Sequence, residues 1–142
     1  DSPAIVREDI RHTVDLYITR YLGKYTLKVK GKAYINFSND QYQEYYDYDS
    51  WKPSITISRT FLKDDKLYAS FTSSFEHKNY HRRIAGTTAR YDSVYTYKTS
   101  INYTLTKLLT LAFSNTYKNV DTNYTAGRYK NITNVIGVTA DF

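Results

Sequence analysis

Alternation with a period of two residues governs nearly the whole of this chain. Every second residue is apolar in Val14, Leu16, Ile18, Leu22, with Arg20 intruding, and again in Tyr25, Leu27, Val29, Ala33, Ile35, Phe37. The pattern returns in Trp51, Ile55, Ile57, Phe61, in Leu67, Ala69, Phe71, Phe75, and in Tyr95, Tyr97, Ile101, Tyr103. It closes with Leu109, Leu111, Phe113, Tyr117 and with Ile132, Ile136, Val138, Phe142. The positions between are mostly Thr, Ser, Asn, Lys and Tyr. Successive side chains on a strand point to opposite faces, so such a pattern predicts strands with one apolar and one polar face. About seven are expected. A helix is supported, weakly, only over Pro3 to His12.

Length separates these strands from ordinary ones. The runs extend for about 10–14 residues, against about 5–6 in a typical globular strand and about 9–11 in a strand tilted across a bilayer. No apolar run approaches the roughly 18 residues a membrane-spanning helix needs, which leaves spanning by strands open.

The connections alternate as well. Leu22-Gly23-Lys24-Tyr25, Lys63-Asp64-Asp65-Lys66 and Thr106-Lys107-Leu108 are tight. The segments Ser38 to Ser50, Asn79 to Asp92 and Asn119 to Lys130 are polar and predict long loops on the other side. Short turns on one side with long loops on the other suit an antiparallel up-and-down transmembrane β-barrel. Aligning the apolar faces across the first turn sets Asp15 opposite Lys32; across the second it sets Lys52 opposite Glu76. Opposite charges facing each other across strands favour those registers.

The final run, Asn131 to Phe142 (NITNVIGVTADF), has an apolar face of Ile136 and Val138 and ends on Phe142. It resembles the carboxy-terminal signal that bacterial outer-membrane β-barrels present to their assembly machinery. Tyr103 to Leu111 (YTLTKLLTL) resembles the strand–turn–strand hairpins of porin-like barrels. The resemblance extends from about Ile10 to Phe142 and is one of pattern. It implies a bacterial outer-membrane location, contact with lipid and lipopolysaccharide, and Ile136, Val138 and Phe142 as the assembly signal. Aromatics at the run ends (Tyr25, Phe37, Trp51, Phe61, Tyr95, Tyr117, Phe142) fit a pair of interfacial girdles. On the lipid side the reading also places Arg20 and Arg59, near the tight turns where they can snorkel, and Asn115 and Asn134.

Seven strands is an odd count, and single-chain bacterial barrels have even numbers. Asp1 to Ile10 as an eighth strand, a larger barrel of which this chain is the carboxy-terminal part, and strands from several chains are the three resolutions. The second is preferred. The chain is thus a single barrel domain over 1–142 or part of one, with further strands from a missing segment or another chain as its partners.

Function is read from the polar faces. Lys28, Lys30, Lys32 and Lys98 share one face, and if it lines a lumen they form a basic wall, balanced in part by Asp15 and Glu76. Such a wall favours anionic solutes or polymers; the alternative is that these lysines pair with inward carboxylates. His77, Lys78, His81, Arg82 and Arg83 are expected as a basic extracellular loop able to meet lipopolysaccharide phosphates. Asp40, Glu44, Asp47 and Asp49 form an acidic loop without EF-hand spacing, and mutual attraction of the two loops is the simpler expectation.

The net charge of +6 suits either a solvated surface or a partner rich in phosphate or carboxylate. No nucleic-acid module is recognisable, so nucleic acid is not expected as a partner. Zero cysteines exclude disulfides and thiolate chemistry. His12, His77 and His81 have no triad or metal spacing, so neither enzymatic activity, metal nor cofactor is expected. The leading expectation is a pore or transport barrel. A membrane-anchoring barrel subunit of a secretion or surface-polymer assembly, and a soluble ligand-binding β-barrel with its apolar faces inward, are the alternatives.

Overall fold

The computed structural model describes residues 9–38, 47–62, 66–85 and 88–140, and of 82–85 the backbone alone. Seven strands form one antiparallel up-and-down sheet in sequence order: β1 Asp9–Leu22, β2 Tyr25–Ser38, β3 Tyr48–Phe61, β4 Leu67–Ala85, β5 Thr88–Thr106, β6 Leu109–Thr122 and β7 Tyr129–Ala140. A short 3-10 turn, Thr125–Gly127, precedes β7. The order is linear, with β1 and β7 at its two edges, so the sheet is not closed.

Strand formation follows from the alternation, and the register follows from the turns. Leu22 pairs with Tyr25 across a two-residue turn in which Gly23 has φ +60°. A positive φ at the first of two turn residues is the type II′ requirement, which glycine meets without steric cost. Phe61 pairs with Leu67. Leu109 pairs with Thr106 after a register shift between Thr104 and Thr106.

The faces are inverted relative to a water-soluble sheet. Val14, Leu16, Ile18, Phe37, Ile55, Ile57, Phe71, Tyr97, Phe113 and Ile136 lie on one exposed face, with Ile136 81% accessible. The other face buries Asn36, Ser50, Glu76, Asp92 and Thr122, with Thr122 only 1% accessible. Among the described residues no second layer covers that polar face, so the sheet must curl around it. Side chains accordingly reach across an intervening strand, from Tyr34 on β2 to Glu76 on β4 and from Arg11 on β1 to Tyr48 on β3. The polar face is concave and the apolar face convex.

The convex face changes character along its height. On β4 it is mostly apolar from Leu67 to Phe75 and then turns to His77 and Asn79; on β5 it is mostly apolar from Tyr103 to Tyr95 and then meets Ser93. On β6 it runs from Leu109 to Tyr117 before Asn119 and Asp121. Each stretch begins at the tight turns and covers about nine residues, the span a tilted strand needs to cross a bilayer core. The strands continue past it toward the opposite end, here called the rim.

Several expectations are corrected by this architecture. Asp9 to His12 are strand, not helix, while residues 1–8 lie outside the described residues. The segment Asn79 to Asp92 is strand wherever it is described, because β4 and β5 are each 19 residues long and extend into it, with a register shift between Asn79 and Ile84. His77, Lys78 and His81 are therefore strand residues, as is the backbone at Arg82 and Arg83. Polarity there marks a strand whose polar side chains have partners, among them Lys78 with Glu76 and Tyr80 with Asp92. Ser38 and Tyr48 to Ser50 likewise belong to β2 and β3, and Asn119 to Thr122 to β6.

Candidate functional site

The concave face carries the candidate site. The register sets Lys28 beside Thr56, Thr72, Lys98, Thr116 and Thr133 in one row across β2 to β7. The next row holds Tyr17, Lys30, Ser54, Ser74, Thr96, Lys118 and Asn131. Lys32 and Lys52 are direct neighbours across β2 and β3 in the row above. The four lysines expected on one face, Lys28, Lys30, Lys32 and Lys98, do share it. Lys118 joins them; the sequence reading passed over it because it sits between the apolar run of β6 and an expected loop.

Of the two expected ion pairs, one is made as read and one is displaced. Lys52 Nζ lies 3.2 Å from Glu76 Oε2. Asp15 is opposite Lys32 in register, yet its carboxylate bonds diagonally to Lys30 at 3.2 Å. Lys32 instead lies over the Tyr34 ring, 5.7 Å from its centroid. Right-handed twist skews neighbouring strands and brings diagonal side chains within reach.

Toward the rim the concave face closes over a tyrosine cluster. Tyr34, Tyr48 and Tyr80 are buried together, with ring centroids 5.8 Å apart for Tyr34–Tyr48 and 5.3 Å for Tyr48–Tyr80. Their hydroxyls end in polar partners, as buried tyrosines require. Tyr34 donates to Glu76, and the same carboxylate receives Lys52 at 3.2 Å, Lys78 at 3.4 Å and Ser50 at 3.5 Å. Arg11 donates to Asn36 Oδ1 at 3.2 Å and to Tyr48 Oη at 3.1 Å. This cluster was not legible as a site, since Tyr48 fell in an expected loop and Tyr34 on an undistinguished polar position.

Beyond the apolar band, Arg90 holds Asp92 in a two-pronged pair, Nε to Oδ1 and Nη2 to Oδ2, both at 2.9 Å, and Tyr80 donates to Oδ2 at 3.0 Å. Burial pushes the Asp92 carboxyl up, but hydrogen bonds from Arg90, Thr122 and Tyr80 outweigh it and hold the group below the ordinary aspartate range. Burial, reinforced by the Asp92 charge, pushes the Tyr80 phenol above its usual range.

Of the other expected residues, His77, His81, Asp49, Ile136 and Val138 lie on the convex side. His81 Nε2 approaches Asp49 Oδ1 at 3.4 Å, and Asn79 donates to Asp49 Oδ2 at 3.1 Å. The described ends of the acidic and basic segments therefore meet, with Asp49 on β3 and Asn79 and His81 on β4 as strand neighbours. His77 is held by Ser93 at 3.0 Å and Asn79 at 2.9 Å, against the rings of Phe75 and Tyr91. Asp47 accepts from the Ser38 amide at 2.6 Å. Ile136 and Val138 are exposed on β7. Asp40, Glu44 and Phe142, and the side chains of Arg82 and Arg83, lie outside the described residues. Among the described residues no cluster of three or more metal-ligating side chains forms. Comparison with protein-family models, curated proteins and solved structures finds no match for this chain.

Proposed function

We propose that this chain supplies membrane-spanning strands of a bacterial outer-membrane β-barrel, whose concave lysine-bearing face lines a water-filled passage favouring anionic solutes or polymers. The observation that carries this reading is the inversion of the faces. Ile136 is 81% accessible on the convex side while Asn36 is 2% accessible on the concave side. In water such an apolar face costs about 25 cal/mol for every Å² left exposed, whereas lipid covers it at no cost. The same inversion weighs against a soluble barrel, whose apolar faces would turn inward.

The proposed barrel needs strands that join the two edges. In lipid, the open edges of β1 and β7 leave backbone groups unpaired, each at a cost of several kcal/mol. Both edge strands run in the same direction, so antiparallel closure takes an odd number of further strands between them.

The test is purification in detergent followed by reconstitution into planar bilayers. The expected result is extraction only with detergent, and channels whose reversal potential in a salt gradient shows anion preference. A monodisperse protein in plain buffer would sink the membrane reading. Cation-selective channels would remove the role given to the lysines and leave the barrel standing.

A further inference from the structure

The concave wall carries a more specific signature than positive charge. The ion pairs of its lysines engage Lys30, Lys52 and Lys78. Lys28, Lys32, Lys98 and Lys118 have no carboxylate partner among the described residues. Three of these four rest on tyrosine rings: Lys28 lies 4.7 Å from the Tyr17 centroid, Lys32 5.7 Å from Tyr34 and Lys118 5.5 Å from Tyr129. An aromatic face steers an ammonium without neutralising it, so each charge stays available to a ligand.

Spacing and floor then select among anions. Lys28 and Lys32 stand four residues apart on β2, about 13 Å along an extended strand, with Lys30 between them held by Asp15 at 3.2 Å. That exceeds the Debye length of about 8 Å at physiological ionic strength, so a small monovalent anion meets one free lysine at a time. A linear multivalent anion long enough to reach both gains what a small monovalent one cannot. Between the lysines the wall presents hydroxyls, including Ser54, Thr56, Thr72 and Ser74, with Thr56 and Thr72 bonded to each other at 2.9 Å. Hydroxyl groups donate and accept, and so match a ligand that is itself rich in hydroxyls. The cations at this level are lysines. Their mobile point charges lack the planar fork that arginine offers to phosphate and suit a ligand that slides past.

We infer that this wall binds linear acidic oligosaccharides, with successive carboxylates meeting Lys28 and Lys32 and sugar hydroxyls meeting the serine and threonine floor. The inference rests on the pore reading above. Its test is block of channel current in planar bilayers by a hexamer of a uronic acid, compared with the uronic acid monomer, a neutral glucose hexamer and a short inorganic polyphosphate. The acidic hexamer is expected to block at concentrations at least about tenfold below its monomer and the neutral hexamer. Combining Lys28→Gln, Lys32→Gln and Lys118→Gln should raise the blocking concentration by about tenfold or more, with the β-sheet circular dichroism retained; tenfold corresponds to about 1.4 kcal/mol. Block by polyphosphate as tight as by the acidic hexamer would overturn the saccharide assignment. An anion-selective pore blocked by none of the four would overturn the inference and leave the pore, whereas cation selectivity would defeat the pore reading itself. Calorimetric titration of the acidic hexamer into the detergent-solubilised protein decides independently of conductance: binding weakened by the triple variant supports the site, and no binding rejects it.

Discussion

Asn115 donates from Nδ2 to Asn134 Oδ1 at 2.7 Å, across β6 and β7 and on the mostly apolar convex face. If that face meets lipid, as proposed, two amides on it contradict the pattern around them. Paired in register, they satisfy part of each other's hydrogen-bonding demand, which is what polar groups in hydrocarbon require. Replacing either one by Val should cost more than replacing both. The expected coupling in a double-mutant cycle is about 0.6–2 kcal/mol, the range for polar pairs in membranes. Urea unfolding in detergent or lipid vesicles would measure it, and additive single effects would show that the pair does not hold the edge strand.

Glu76 is the junction between the lysine wall and the tyrosine cluster, receiving Tyr34, Lys52 and Lys78. Glu76→Gln removes the one carboxylate that, among the described residues, bonds both lysines, and leaves their ammonium groups facing each other. Loss of one partner in a fully buried pair costs about 3–5 kcal/mol. Here the Lys52 side chain is 39% exposed, and solvent screening reduces the expected loss to about 1–2 kcal/mol. The variant should also shift the reversal potential further toward anions. Lowered stability with unchanged selectivity would place Glu76 away from the ion path.

Asp92 is expected to make the stability of the rim acid-sensitive. Its carboxyl is held below the ordinary aspartate range in the folded protein, so the folded state binds a proton there less readily than the unfolded chain. The associated stability is complete above the unfolded value and is lost as pH falls through the lowered folded value. Asp92→Asn should therefore destabilise the protein at neutral pH and flatten the acid limb of its stability curve. Thermal unfolding of both forms from neutral to strongly acidic pH measures this. Parallel curves would mean that another carboxyl governs the limb.

What could be read from the residues, and what could not, divides along physical lines. Strand number and register were legible because alternation assigns faces and tight turns such as Leu22 to Tyr25 pin the pairing. The rim was not. From Glu76 to His81 both faces become polar, the alternation disappears, and a 19-residue strand looks like a loop. The choice of Lys30 over Lys32 by Asp15 was equally hidden, since register names the opposite residue while twist selects the diagonal one. The Tyr34–Tyr48–Tyr80 cluster joins three strands through curvature, which a pattern along one strand does not encode.

Arg59 marks the other border of the apolar band. Its Nη1 donates to Tyr25 Oη at 2.8 Å, and its guanidinium lies 4.9 Å from the Tyr25 centroid and 4.5 Å from that of Phe61. If the edge of this band is a membrane border, as proposed, a planar cation lying over two rings there keeps its charge near headgroups while its stem covers apolar surface. Lysine has the charge without the plane or the fork. Arg59→Lys should therefore lose about 0.5–1.5 kcal/mol in stability, most of the effect of Arg59→Ala, if stacking and the Tyr25 bond dominate. Tyr25→Phe, which removes the hydroxyl and keeps the ring, should lose the smaller share. Unfolding in vesicles with and without anionic lipid separates the contributions. If Arg59→Lys matches the parent protein and only Arg59→Ala is weakened, charge at the headgroup level is what this position supplies, and the stacking is incidental.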